Sequence, residues 1–142
     1  MLFTFEVRTE GKFQVVDVTR SVQEAVWKSD VAHGIAVVLT PHTTTGLMIN
    51  EYEPGLVGDI EAKMEELVPM GAGYAHDRID SNAHSHIRAT LFLNPEVVIP
   101  VDQGELQLGT WQRVLLVELD GPRRRRVQVM VCPCPAYPEE GR

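Results

Sequence analysis

Cysteine is almost absent from this chain of 142 residues: only Cys132 and Cys134 occur, two residues apart. That excludes a fold stapled by disulfides. Aromatic side chains make up 6%, so the core has to be largely aliphatic. Positive charge is in deficit, with 13 Lys and Arg against 20 Asp and Glu, a formal net charge of −7. This argues against a general nucleic-acid or anionic-membrane partner. No apolar run approaches the roughly 20 residues that a membrane-spanning helix needs. The opening stretch MLFTFEVRTEGKF alternates in polarity and carries acids, unlike a signal or transit peptide, so a soluble cytoplasmic protein is expected.

What is present is ordinary globular composition, 44% hydrophobic and 23% charged. The length suits one domain, expected over residues 1–132, with a loose proline-rich tail at 133–142. Alternating apolar residues predict a strand at Leu2–Arg8 and another at Phe13–Val18, paired as a hairpin around Gly11. Ser21 and Glu24 fit a capping box for a helix ending near Asp30, with Val22, Ala25 and Val26 inward. The run Gly34–Thr40 reads as a central strand buried on both faces. A shorter strand follows at Gly46–Asn50. Pro54 then opens the clearest amphipathic helix, Pro54–Val68. A polar loop leads to a helix at Ser81–Phe92 with Ala83, Ile87 and Leu91 as its inward stripe. Four more strands follow, near Val97–Val101, Glu105–Leu108, Gln112–Leu119 and Arg126–Val131. The sum is α+β: a mostly antiparallel, sandwich-like sheet core with two to three helices.

Five histidines are the main chemical feature. His33 reads as a surface turn residue. His42 follows the buried strand directly, where strand ends deliver polar groups into crevices. Thr43, Thr44 and Thr45 beside it supply hydroxyls that can hold an anion or orient an imidazole. His76, His84 and His86 share a short region with Asp77 and Asp80, a donor set that suits zinc but equally suits a solvated acidic loop. On a helix His84 and His86 lie about 200° apart, so only one can face a given ion. Asp59 borders the apolar stripe of the Pro54 helix. Glu118 shares a face with Val114 and Leu116 in a strand covered on both sides. A carboxylate there needs a partner, either an arginine of Arg123–Arg126 or a site histidine. Successive arginines on a strand alternate faces, so that run is not one basic patch. Cys132-Pro133-Cys134 is assigned no role.

The ordered set of short motifs resembles the YjbQ-like family, also called the secondary thiamine-phosphate synthase family. It runs from His42-Thr43-Thr44-Thr45-Gly46-Leu47 through Tyr74-Ala75-His76-Asp77, Asp80 and Ser85-His86-Ile87. It continues to Gly109-Thr110-Trp111-Gln112, Glu118 and Gly121-Pro122. The resemblance implies a homotrimer with a three-histidine site at His42, His76 and His86. Three neutral imidazoles there can hold a divalent metal, zinc or, with a pyrophosphate substrate, magnesium; alternatively one histidine is an acid–base group oriented by Asp77 or Asp80. Asp80 and Glu118 join the histidines as catalytic candidates, with Thr43 and Thr44 as cofactor-binding ones. The implied activity is that of an enzyme on a small phosphorylated metabolite, with thiamine phosphate formation as a side activity. A non-catalytic metal or anion binder and a metal-dependent phosphohydrolase are the alternatives.

Overall fold

The computed structural model describes residues 1–135. The elements run β1 (Leu2–Arg8), β2 (Gln14–Asp17), α1 (Thr19–Ser29), β3 (Gly34–Leu39), β4 (Thr45–Asn50) and α2 (Pro54–Leu67). A 3-10 turn (Ala75–Arg78), α3 (Ala83–Phe92), β5 (Glu96–Asp102), β6 (Glu105–Leu106), β7 (Arg113–Glu118) and β8 (Arg124–Pro133) follow. This is the expected α+β order, built on two antiparallel sheets. The first sheet has the order β1-β8-β3-β5-β6 and the second β2-β7-β4.

Strand alternation sets the layers. Val7, Ala36, Val38, Ile99, Val127 and Val129 turn one face of the first sheet inward. They meet Val22, Ala25 and Val26 of α1 and Leu47, Val114 and Leu116 of the second sheet. The opposite parity of the second sheet, Val15, Leu115 and Val117, packs against Met64 of α2 and Leu93 beyond α3. β7 is therefore covered on both faces, as its unbroken apolar run predicts.

Several local expectations are corrected. β1 and β2 do not form a hairpin: β1 pairs with β8 and β2 with β7, in different sheets. The link between them passes Gly121, whose N–H donates to the Lys12 carbonyl. A Cβ at Gly121 would sit 2.2 Å from the Gly11 carbonyl oxygen, so the crossing needs a residue without one. β3 is central but fully buried on one face only, through Ala36 and Val38. The Ser21–Glu24 box does not form. Instead Thr19 donates to Asp17 and accepts from the Val114 N–H, tying α1 to β7. In α3 Ala83 is buried as expected, but Leu91 is 64% exposed, and Ser85, Arg88 and Ala89 turn inward instead. The helix docks through polar anchors: Ser85 Oγ donates to the Leu119 carbonyl, and Arg88 Nε to the Val68 carbonyl. α2 starts at Pro54 as expected, with the Glu53 carboxylate accepting from the Gly55 and Leu56 N–H groups. Most of α2 is exposed; Met64 alone is fully buried. β8 continues to Pro133, paired with Gly34, past the expected domain boundary. The rest of the expected tail, from residue 136, lies outside the described residues.

Candidate functional site

Three short links without a helix carry the chain from one sheet to the other: Thr9–Phe13, Thr40–Thr44 and Leu119–Arg123. They lie together, because Thr9 N–H donates to the Arg123 carbonyl and Leu119 N–H to the Thr44 carbonyl. At their centre is Glu118, with no exposed surface. Its carboxylate accepts from Thr9 Oγ1 (2.7 Å), Arg125 Nε (2.8 Å) and the N–H groups of Leu119 and Asp120. Arg125 completes the network by donating to Thr44 Oγ1 at 2.8 Å. Burial alone would raise the Glu118 carboxyl, but the Arg125, Thr9 and backbone hydrogen bonds outweigh it and hold it below the usual range. Of the two partners considered for Glu118, the structure shows the arginine.

His42 sits in the middle link, just past the end of β3. The last β3–β8 pair is Leu39 with Gln128, and the Arg126 N–H beyond it donates to His42 Nε2 at 2.9 Å. The imidazole thus replaces a ladder partner that β3 no longer supplies. Burial and the nearby Arg125 and Arg126 charges lower its pKa, so the ring is neutral and carries its proton on Nδ1. His42 and Thr43 line a cavity of about 590 Å³ together with His86 and Thr90 of α3. The Thr40 and Thr45 hydroxyls are bonded to each other at 2.6 Å. Thr43 keeps its hydroxyl without a partner among the described residues.

His76 lies against His86, ring centroids 4.8 Å apart and edge to face. A chain of hydrogen bonds fixes its tautomer. Asp120 accepts from Lys12 Nζ at 2.7 Å and from Asn82 Nδ2 at 3.0 Å. Asn82 therefore turns its Oδ1 to His76, and His76 Nε2–H donates to it at 3.1 Å, leaving Nδ1 as the acceptor. Against the opposing effect of burial, the Lys12 and Asn82 bonds hold the Asp120 carboxyl at about 2.

The three expected histidines are thus partly assembled. His76 and His86 touch, and His42 lines the same cavity as His86. They do not form a three-nitrogen metal set. The His42 Nε2 lone pair is already engaged by a backbone N–H, and its Nδ1 carries the proton. Among the described residues no three His, Cys, Asp or Glu side chains are placed to hold an ion. Thr44 faces the Glu118–Arg125 pair instead of the cavity, and Asp80 and Asp59 are exposed at the surface. Asp77 accepts from the Ala83 N–H at the start of α3. His84 and His86 point to different cavities, as helical spacing predicts. His33 is paired with Asp102 at 2.7 Å on the surface. Sequence reasoning did not single out Arg125, Asn82 or Asp120. Arg125 was recoverable: it shares parity with Val127, Val129 and Val131, all buried.

A family profile described as UPF0047 protein YjbQ-like matches residues 3–134. A UPF0047 protein of Archaeoglobus fulgidus is 53% identical over 87% of this chain and 94% of its own length. The UPF0047 protein YugU of Bacillus subtilis is 32% identical over 88% of this chain and 94% of its own. Among solved structures, a hypothetical protein of Aeropyrum pernix superimposes with a TM-score of 0.89 at 42% identity, covering 94% of this chain and 98% of that one. A YbjQ-like protein of unknown function from Sulfolobus solfataricus gives 0.88 at 41% identity, covering 92% and 95%.

Proposed function

The chain belongs to the YjbQ-like UPF0047 family, and from that premise we propose that it is a small enzyme acting on a phosphorylated metabolite in the cavity between His42 and His86. A side activity this site would support is the joining of two phosphorylated heterocycles with loss of pyrophosphate, as in thiamine phosphate formation. The observation that carries this reading is the locked His42 tautomer. A neutral imidazole with Nδ1–H on a cavity wall is a fixed donor for a phosphate oxygen, and it takes no proton from its ligand. The Thr43 hydroxyl on the same wall adds a second donor. The His86 imidazole, with no hydrogen-bond partner among the described residues, is the group left to exchange a proton with the leaving group. His76 acts on His86 by ring contact, and Asn82 and Asp120 hold it in place. Glu118 acts as a positioning residue, fixing the loop that carries His42. No step is assigned to zinc or magnesium, because the three imidazoles do not offer three lone pairs to one point.

The test is a coupling assay with a pyrimidine pyrophosphate and a thiazole phosphate. Replacing His42 or His86 by alanine is expected to reduce the rate about 10²–10⁴-fold, the usual reach of acid–base groups. Unchanged turnover in both variants would end the proposal. Binding of the phosphate without any product would favour the non-catalytic anion binder.

We propose the homotrimer on separate grounds. Leu2, Met130, Val37 and Val98 form a row across four strands on the outer face of the first sheet. Three of them are exposed. An apolar row of this kind suits burial against a second copy. Sedimentation is expected to give about three times the 15.9 kDa chain mass. A monomeric mass would remove the trimer and leave the cavity argument untouched.

A further inference from the structure

On the far side of α3 from His86 lies a second cavity, of about 380 Å³. Its walls include Lys12, His84 and Arg88, with Glu61 and Glu65 of α2 across from them. Two of these side chains are more than nine-tenths buried, His84 at 3% exposed and Arg88 at 8%. Neither is fully paired within the described residues. Arg88 uses only Nε, donating to the Val68 carbonyl at 2.9 Å. Its two terminal nitrogens meet no carboxylate among the described residues. His84 makes no hydrogen bond there either, and its buried Nδ1 is left without a partner. Buried polar groups are normally paired, and a carboxylate is the usual partner of a buried guanidinium. The other buried arginine, Arg125, follows that rule.

We propose that this cavity is a second ligand site, which takes the phosphate group of a small amine-bearing phosphate monoester. The planar fork of Arg88 presents two parallel donors, the geometry that fits a phosphate edge. The Lys12 ammonium, bonded to Asp120 on one side, lies on the same rim and adds positive charge. His84 supplies a further donor. Glu61 and Glu65 disfavour a bare anion and favour a ligand whose body carries a positive group toward α2. None of these residues belongs to the His42–His86 cavity, so the site stands or falls apart from the reaction proposed there.

Thermal unfolding of the full chain tests it, with inorganic phosphate, acetate and O-phosphoethanolamine as probes. O-phosphoethanolamine at about 100-fold over its Kd is expected to raise Tm by roughly 5 °C or more. At equal concentration inorganic phosphate gives a smaller shift and acetate the smallest. Arg88→Met is expected to abolish the shift, and His42→Ala to keep it. The double change Glu61→Gln with Glu65→Gln is expected to erase the advantage of O-phosphoethanolamine over inorganic phosphate. If Arg88→Met does not fold, His84→Leu carries the same decision, with at least a tenfold loss of affinity expected. The proposal is overturned if no probe shifts the wild-type Tm, or if the shift survives in the Arg88 and His84 variants. It is equally overturned if His42→Ala removes the shift, which would place the phosphate in the first cavity.

Discussion

Arg125 and Arg88 are both buried, and the chain treats them in opposite ways. Arg125 is gripped by Glu118 and Thr44, and through them by all three links between the sheets. Arg88 is held by one carbonyl and opens its fork into a cavity. The first arrangement is closed in charge: Nε and one terminal nitrogen of Arg125 meet the Glu118 carboxylate, and Thr44 takes a further bond. The second is unfinished within the chain. The difference separates a charge that organises the fold from a charge kept for something that arrives later.

The largest effect that would break this comparison concerns the closed pair. Glu118→Ala leaves Arg125 buried without its counter-charge, and a loss of about 3–5 kcal/mol is expected. Denaturant unfolding measures it. The joint replacement Glu118→Leu with Arg125→Met is expected to recover much of that loss, since an apolar pair removes both desolvation costs. No recovery would mean that the pair is needed for chain path and not merely for charge balance.

Next in size is Asp120. Its carboxyl is held at about 2, against 3.8 unperturbed. A depressed carboxylate contributes stability above its unfolded pKa and loses it as pH falls through the folded value. The folded protein is therefore expected to lose about 2 kcal/mol from this group between pH 4 and pH 2. Asp120→Asn should flatten the acid limb of the stability curve in that window. An unchanged slope would remove Lys12 and Asn82 as its stabilising partners.

Arg88→Met is expected to cost less than Glu118→Ala, about 1 kcal/mol, because one carbonyl contact is lost while an unpaired charge is also removed. A loss as large as that of Glu118→Ala would put the two arginines in the same class. The smallest effect belongs to His42. Its folded pKa lies below 6.5, so the unfolded chain takes up the proton first as pH falls. Stability from this residue is full above pH 6.5 and declines below it. His42→Gln, which keeps an acceptor for the Arg126 N–H, should weaken that decline, and unfolding measured from pH 7 to pH 5 will show it.

Much of the architecture was legible because alternation and helical stripes report burial directly. Leu2–Arg8 is read from alternation, the Pro54 start from proline's fit to a first helical position, and the doubly covered strand from its unbroken apolar run. Pairing was not legible. Nothing local in Arg8–Phe13 says that the chain leaves one sheet for another, since that depends on Gly121, more than a hundred residues away. The α3 stripe misled for a related reason: the helix docks through Ser85 and Arg88, and apolar periodicity is blind to polar anchors. At the site, residue types identified the histidines, but tautomers decide what they can do. Those are set by the Arg126 N–H and by Asn82, which no spacing rule reveals.

The place of β8 has a consequence for how the protein is made. It lies between β1 and β3, so the first sheet cannot close until Arg124–Pro133 has left the ribosome. Until then two hydrogen-bonding edges stand bare on the nascent chain, and such edges invite pairing with a neighbour. Early docking of β8 between them therefore guards against misassembly in a way that a stronger core alone would not.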